Sequence, residues 1–184
     1  YNLLDQLRDA YVPVAREEYD ELQQFAEKKG FSETLQAWDW SFYSEKLKQE
    51  KYAISEDDLR PYFELENVKK GVFDLANHLY GLTFVKNKDI QVYHEEVDAY
   101  EVFDSEGKFL AVYYSDFHPR EGKRGGAWMS DFKPQYRENG KDSRPHVVNV
   151  MNFTRATDDK PALLTYSEVE TFLHEFGHAL HGML

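Results

Sequence analysis

The sequence contains no cysteine, which excludes disulfides and thiolate metal sites and leaves His and carboxylate side chains to build any transition-metal site. Positive charge is scarce. With 22 Lys and Arg against 34 Asp and Glu, the formal charge is −12, and such a field repels a polyanion unless a basic patch overrides it. The basic cluster Arg120, Lys123 and Arg124 is short, lies among Gly and Pro, and has no interleaved aromatics on which bases would stack. Nucleic acid is therefore not an expected partner. No run of about 18 apolar residues occurs, and the first residues lack a charged segment followed by an apolar one, so the chain reads as soluble and no membrane partner is expected. The chain opens at Tyr1, without Met and inside a helical pattern, which points to a natural start elsewhere.

Apolar and aromatic residues are plentiful, at 41% and 16% of 184 positions, enough for the core of one domain. Leu4, Leu7, Tyr11, Val14, Leu22 and Phe25 recur at helical spacing, with Gly30 as a stop and Pro13 expected to bend or interrupt the helix. A second helix is expected over 38–51, a short one near Leu59, and a third full helix opening at Asn67 and ending at Gly81. From Leu82 the period changes to two. Residues 90–93, 100–103 and 109–114 are expected strands, with hairpin-turn chemistry at Ser105-Glu106-Gly107, and 147–151 reads as a further, more buried strand. Ser167 and Glu170 have the spacing of a capping box for a last helix carrying Val169, Phe172, Leu173, Phe176, Leu180 and Met183. The expected class is α+β and mainly helical: helices over 1–81, a small mixed or antiparallel sheet over 82–153, and a final helix over 167–184.

That last helix contains His174-Glu175-Phe176-Gly177-His178. Four residues are about 400° of helical rotation, so the two imidazoles leave one face a turn apart and one ion can touch both. Zinc accepts neutral imidazole, and a catalytic zinc keeps three protein ligands and a water. Glu175, beside the first ligand, is placed to take that water's proton without occupying the coordination shell. The plainer alternative is that two His and a Glu merely share the polar side of an amphipathic helix. The elongated metzincin pattern would need Gly at position 181 and His at position 184; this chain has His181 and Leu184, which excludes that subclass. His181 and Glu170 lie roughly on the ligand face. A third ligand from the same helix gives poor tetrahedral geometry, so His181 is read as a supporting or packing residue and Glu170 as part of the cap.

The runs Asn152-Phe153-Thr154-Arg155, Lys160-Pro161-Ala162-Leu163-Leu164-Thr165 and Glu168 through His181 resemble the thimet oligopeptidase family of zinc peptidases. Upstream, Asp39-Trp40-Ser41-Phe42-Tyr43, Arg60-Pro61-Tyr62-Phe63-Glu64-Leu65 and Gly122-Lys123-Arg124-Gly125-Gly126-Ala127-Trp128-Met129 are similar to its bacterial branch of peptidyl-dipeptidase and oligopeptidase A. The resemblance implies that residues 1–184 are part of one gluzincin-type catalytic domain of a two-lobed intracellular enzyme, cytoplasmic in location, that acts on short peptides. It implies one zinc per intact site, held by His174 and His178, with Glu175 as the catalytic carboxylate. The family's third ligand is a Glu on a later helix, and its substrate-contacting Tyr and His lie later still, so this stretch alone is expected to be inactive. Peptidyl-dipeptidases of this kind release dipeptides from the C-terminus. A reading of another class is a non-catalytic peptide-binding or structural module.

Two further features bear on substrate. Gly125-Gly126-Ala127-Trp128 reads either as an edge strand to which a peptide backbone can add, or as a turn feeding an internal strand. Arg120, Lys123 and Arg124 could draw a terminal carboxylate, though a solvated loop is the simpler expectation. The aromatics of Trp38-Asp39-Trp40 and Tyr113-Tyr114 are expected in the core.

Overall fold

The computed structural model describes residues 1–184, the side chain of Glu56 excepted, and divides into two units, Tyr1–Ser55 and Glu56–Leu184. In the first unit the helical periodicity produces α1, Asn2–Lys28, and α2, Trp40–Tyr52. Leu22, Ala26 and Leu35 form a small core with Tyr19, Phe31, Tyr43 and Leu47 packed on it. The other half of the α1 stripe is different: Leu4, Leu7, Tyr11 and Val14 are exposed. The helix continues through Pro13, which removes one backbone donor without ending it. Trp38 is 80% exposed and Trp40 40%, so the expected core placement of these two rings is wrong.

The second unit starts with α3, Glu56–Leu59, and a 3-10 turn, Arg60–Tyr62, then α4, Leu65–Tyr80. Asn67 is not the opening residue of α4. The chain enters through an extended Glu64 bridged to Leu163, the Leu65 amide donates to the Ala162 carbonyl, and Leu65 itself is buried, so packing sets the start. Gly81 ends the helix with φ of 70°, as a C-terminal glycine does.

A five-stranded mixed sheet follows, made of β1 (Thr83–Lys86), β2 (Asp98–Phe103), β3 (Phe109–Asp116), β4 (Trp128–Lys133) and β7 (His146–Val150) in the order β1-β2-β3-β7-β4. β3 and β7 run parallel and the other pairs antiparallel. The hairpin between β2 and β3 turns at the expected place, with Gly107 at φ of 77°. A separate hairpin pairs β5 (Tyr136–Glu138) with β6 (Lys141–Ser143). It goes beyond the expected strands, yet Asn139-Gly140, with both φ positive, is the two-residue signal for such a turn.

Residues 90–93 do not form a strand. Their alternation serves a different purpose: Ile90 and Val92 pack against Val97, Ala99, Val112, Tyr114, Val148 and Val150, so this loop covers one face of the sheet. The opposite face carries Tyr100, Val102, Ala111, Tyr113 and Val147 and packs against Leu65, Val72 and Ala76 of α4 and the apolar side of the last helix, α5, Tyr166–Met183. β3 and β7 are thus buried on both faces, which explains why 147–151 reads as a nearly unbroken apolar run.

Candidate active site

α5 is capped by Thr165, whose hydroxyl accepts from the Glu168 amide at 3.1 Å while the Glu168 carboxylate accepts from the Thr165 amide at 2.8 Å. The expected box of Ser167 and Glu170 is therefore displaced by two residues. Both registers satisfy the Ser/Thr-x-x-Glu rule, and the hydrophobic neighbours discriminate between them. With Thr165 as cap, Leu164 before it and Val169 in the first turn join the same apolar cluster, whereas the other register would put exposed Tyr166 in that place. Glu170 is exposed and has no part in the cap.

Phe172, Phe176, Ala179 and Met183 recur along α5 at helical spacing and are buried against the sheet. By the same geometry Glu170, His174, Gly177, His178 and His181 fall on the open side and are exposed, while Glu175 is half-buried at its margin. His181 is thus not a packing residue in this chain. The Nε2 atoms of His174 and His178 are 3.3 Å apart, with ring centroids 4.9 Å apart. A tetrahedral ion bonded to both nitrogens at the usual zinc distance needs them about 3.3 Å apart, so this pair fits zinc. No set of three or more His, Asp or Glu able to hold an ion is found among the described residues.

Three contacts fasten this helix to the sheet. Asn149 on β7, fully buried, donates from Nδ2 to the Glu175 carbonyl at 2.7 Å and accepts from the Tyr113 hydroxyl at 3.0 Å. Arg144 donates from Nη2 to the Met183 carbonyl at 3.2 Å, where a cation also suits the helix C-terminus. Gly182 meets the sheet closely enough that a Cβ there would overlap the Met129 side chain and press on Val147. Sequence reasoning missed Asn149 and Arg144; the one available signal was a polar residue within an otherwise apolar strand.

Gly125-Gly126 form a bend and Ala127 a loop ahead of β4, so this run is not itself an edge strand; it is a Gly-rich turn, but the strand it feeds, β4, is the outermost one beside β7 and not an internal one. Arg124 is exposed, as a solvated loop would have it, but Arg120 and Lys123 are not. Asp116, at the end of β3, accepts from Arg120 Nη1 and Nη2 at 2.6 and 2.8 Å, Lys123 Nζ at 2.9 Å and the Tyr93 hydroxyl at 2.7 Å. Lys123 also donates to the Asp116 and His118 carbonyls, Arg124 lies over the Trp128 ring, and Asn152 holds the Arg124 and Gly126 carbonyls. Arg120 and Lys123 are therefore committed to Asp116.

Burial pushes the Asp116 carboxyl up, but its bonds from Arg120, Tyr93 and Lys123 outweigh this and hold it down at about 2. Burial lowers Lys123 in spite of Asp116. A carboxylate whose folded pKa is depressed adds stability above its ordinary pKa and loses it as pH falls towards the folded value. A fall from 3.8 to about 2 corresponds to about 2 kcal/mol. Asp116→Asn is accordingly expected to destabilise the protein by about 2 kcal/mol near neutral pH, with the gap from wild type closing as pH drops below 3.8 towards 2. Denaturant melts of both proteins across that range test this; a gap that does not change with pH would contradict it.

All 184 residues match the model of peptidase family M3. The chain belongs to this family. Over 177 residues it is 46% identical to the dipeptidyl carboxypeptidase of Salmonella typhimurium, covering 94% of this chain and 26% of that protein. It is 41% identical over 173 residues to oligopeptidase A of Escherichia coli, covering 94% of this chain and 25% of the relative. The "Probable cytosolic oligopeptidase A" of Arabidopsis thaliana is 40% identical over 190 residues, covering 99% of the chain and 27% of that protein. The M3 chain thus spans about a quarter of the length of the curated relatives it matches. Among the described residues no helix is long and apolar enough to cross a membrane.

Proposed function

We propose that this M3 chain supplies His174 and His178 as two zinc ligands and Glu175 as the general base of a peptidase that removes dipeptides from the C-terminus of short peptides. The 3.3 Å between the two Nε2 atoms on the open side of α5 carries the metal assignment. Zinc held there would supply a Lewis acid and lower the pKa of water towards neutrality. The Glu175 carboxylate, next to His174 and at the margin of the same face, takes a proton from the attacking water and delivers it to the departing amine nitrogen. The free edge of β4 offers unpaired backbone groups to an extended peptide, whose strand-like addition would align the scissile bond. Dipeptide release is favoured over internal cleavage by the Salmonella relative's name and identity. The name of the Arabidopsis relative supports a cytoplasmic setting. With two imidazoles, these 184 residues alone leave a catalytic zinc short of its usual three protein ligands, so turnover belongs to the full-length enzyme.

Mass spectrometry of an N-blocked peptide incubated with the full-length enzyme tests the specificity. Products shortened successively by two C-terminal residues are expected. Internal fragments alone would show an oligopeptidase, and no cleavage with zinc present would favour a peptide-binding module.

A further inference from the structure

We infer that Asn149, oriented by Tyr113, is a positioning residue that sets where Glu175 and the two imidazoles stand relative to the sheet edge; the inference rests on the peptidase reading above. In an α-helix the Glu175 carbonyl already accepts the amide four residues on, so the helix does not need the 2.7 Å bond from Asn149 in order to form. The bond uses the carbonyl's second lone pair. What it adds is a fixed point between β7 and the turn that bears His174 and Glu175. An amide at 0% exposure in a face otherwise made of Tyr113, Val147, Phe172 and Phe176 is costly unless bonded, and an apolar residue of equal size would fill the place without that requirement. Tyr113, also at 0% exposure, donates to Oδ1 and so turns the Nδ2 group towards the helix. Apolar packing tolerates small sliding and rotation of a helix. One directed bond at Glu175 and a second from Arg144 at Met183 remove both.

Because both imidazoles and Glu175 move with α5 as one body, loss of the bond should misalign them against a substrate held on β4 without removing the two ligands. In the full-length enzyme Asn149→Leu is expected to lower kcat by about 10–100-fold, the range that a misplacement of up to about 1 Å produces. KM should stay within about twofold, because the lost alignment belongs to the transition state. Zinc content by elemental analysis should be unchanged. Tyr113→Phe, which keeps the ring and removes the orienting hydroxyl, should give a smaller fall of the same kind, and it decides the matter if Asn149→Leu does not fold. Val147→Ala, on the same strand and facing the same helix, supplies the control for general loosening. A kcat loss no larger than that of Val147→Ala at equal thermal stability, or loss of zinc in step with activity, would overturn the inference. Wild-type enzyme that neither holds zinc nor cleaves peptide would sink the peptidase reading itself, and this proposal with it.

Discussion

In the full-length enzyme, Glu175→Gln is expected to lower kcat by about 10²–10⁴-fold, the usual range for loss of a general base, with zinc content unchanged. Glutamine keeps the size of the side chain and much of its hydrogen bonding, but it cannot accept the water's proton. The effect should fall on kcat far more than on KM, since the missing interaction is made in the transition state. Glu175 is half-buried at the edge of the open face, while His174 and His178 bring their Nε2 atoms together at 3.3 Å without it. Steady-state kinetics and elemental analysis of the same preparation separate the outcomes. Near-normal turnover would point to another base, and loss of zinc would show Glu175 to be a ligand or a support for the site.

His178→Ala should behave differently, losing zinc and activity together. It leaves one imidazole on α5, and the drop in zinc affinity should exceed the 10–100-fold that follows loss of a mere outer-shell partner, so about 100-fold or more is expected. Competition against a chelator of known affinity measures it. Folding should be little affected, because His178 is exposed and the buried side of α5 is made by Phe172, Phe176, Ala179 and Met183. Full zinc occupancy in this variant would remove His178 from the ligand set, and a large fall in melting temperature without added metal would assign it to the scaffold.

The same separation between local pattern and distant partner runs through the fold. α4, the hairpin of β2 and β3, and β7 stand close to where periodicity, Gly81 and Gly107 place them, because their determinants lie within a few residues. Residues 90–93 have strand-like alternation but cover a face of the sheet instead of joining its ladder, and alternation alone cannot tell the two apart. The helix cap moved from Ser167 to Thr165 for a related reason: two registers satisfy the local rule, and burial of Leu164 with Val169 selects one.

From the order of residues alone come the pentapeptide, its helix, and the face that His174 and His178 share with Glu175 beside it, since helical spacing settles which side chains are neighbours. The resemblance to zinc peptidases is equally a property of the sequence, and the match to family M3 over all 184 residues agrees with it. Tertiary structure decided that the apparent basic loop is anchored, with Arg120 and Lys123 both turned onto buried Asp116. It decided that Gly125-Gly126 leads into an outer strand, and that Asn149 and Arg144 fasten the motif helix at Glu175 and Met183. These are contacts between residues 26 and 39 positions apart. No local spacing rule reaches so far; only the packing of α5 across β7 brings an amide, a guanidinium and two helix carbonyls within hydrogen-bond range.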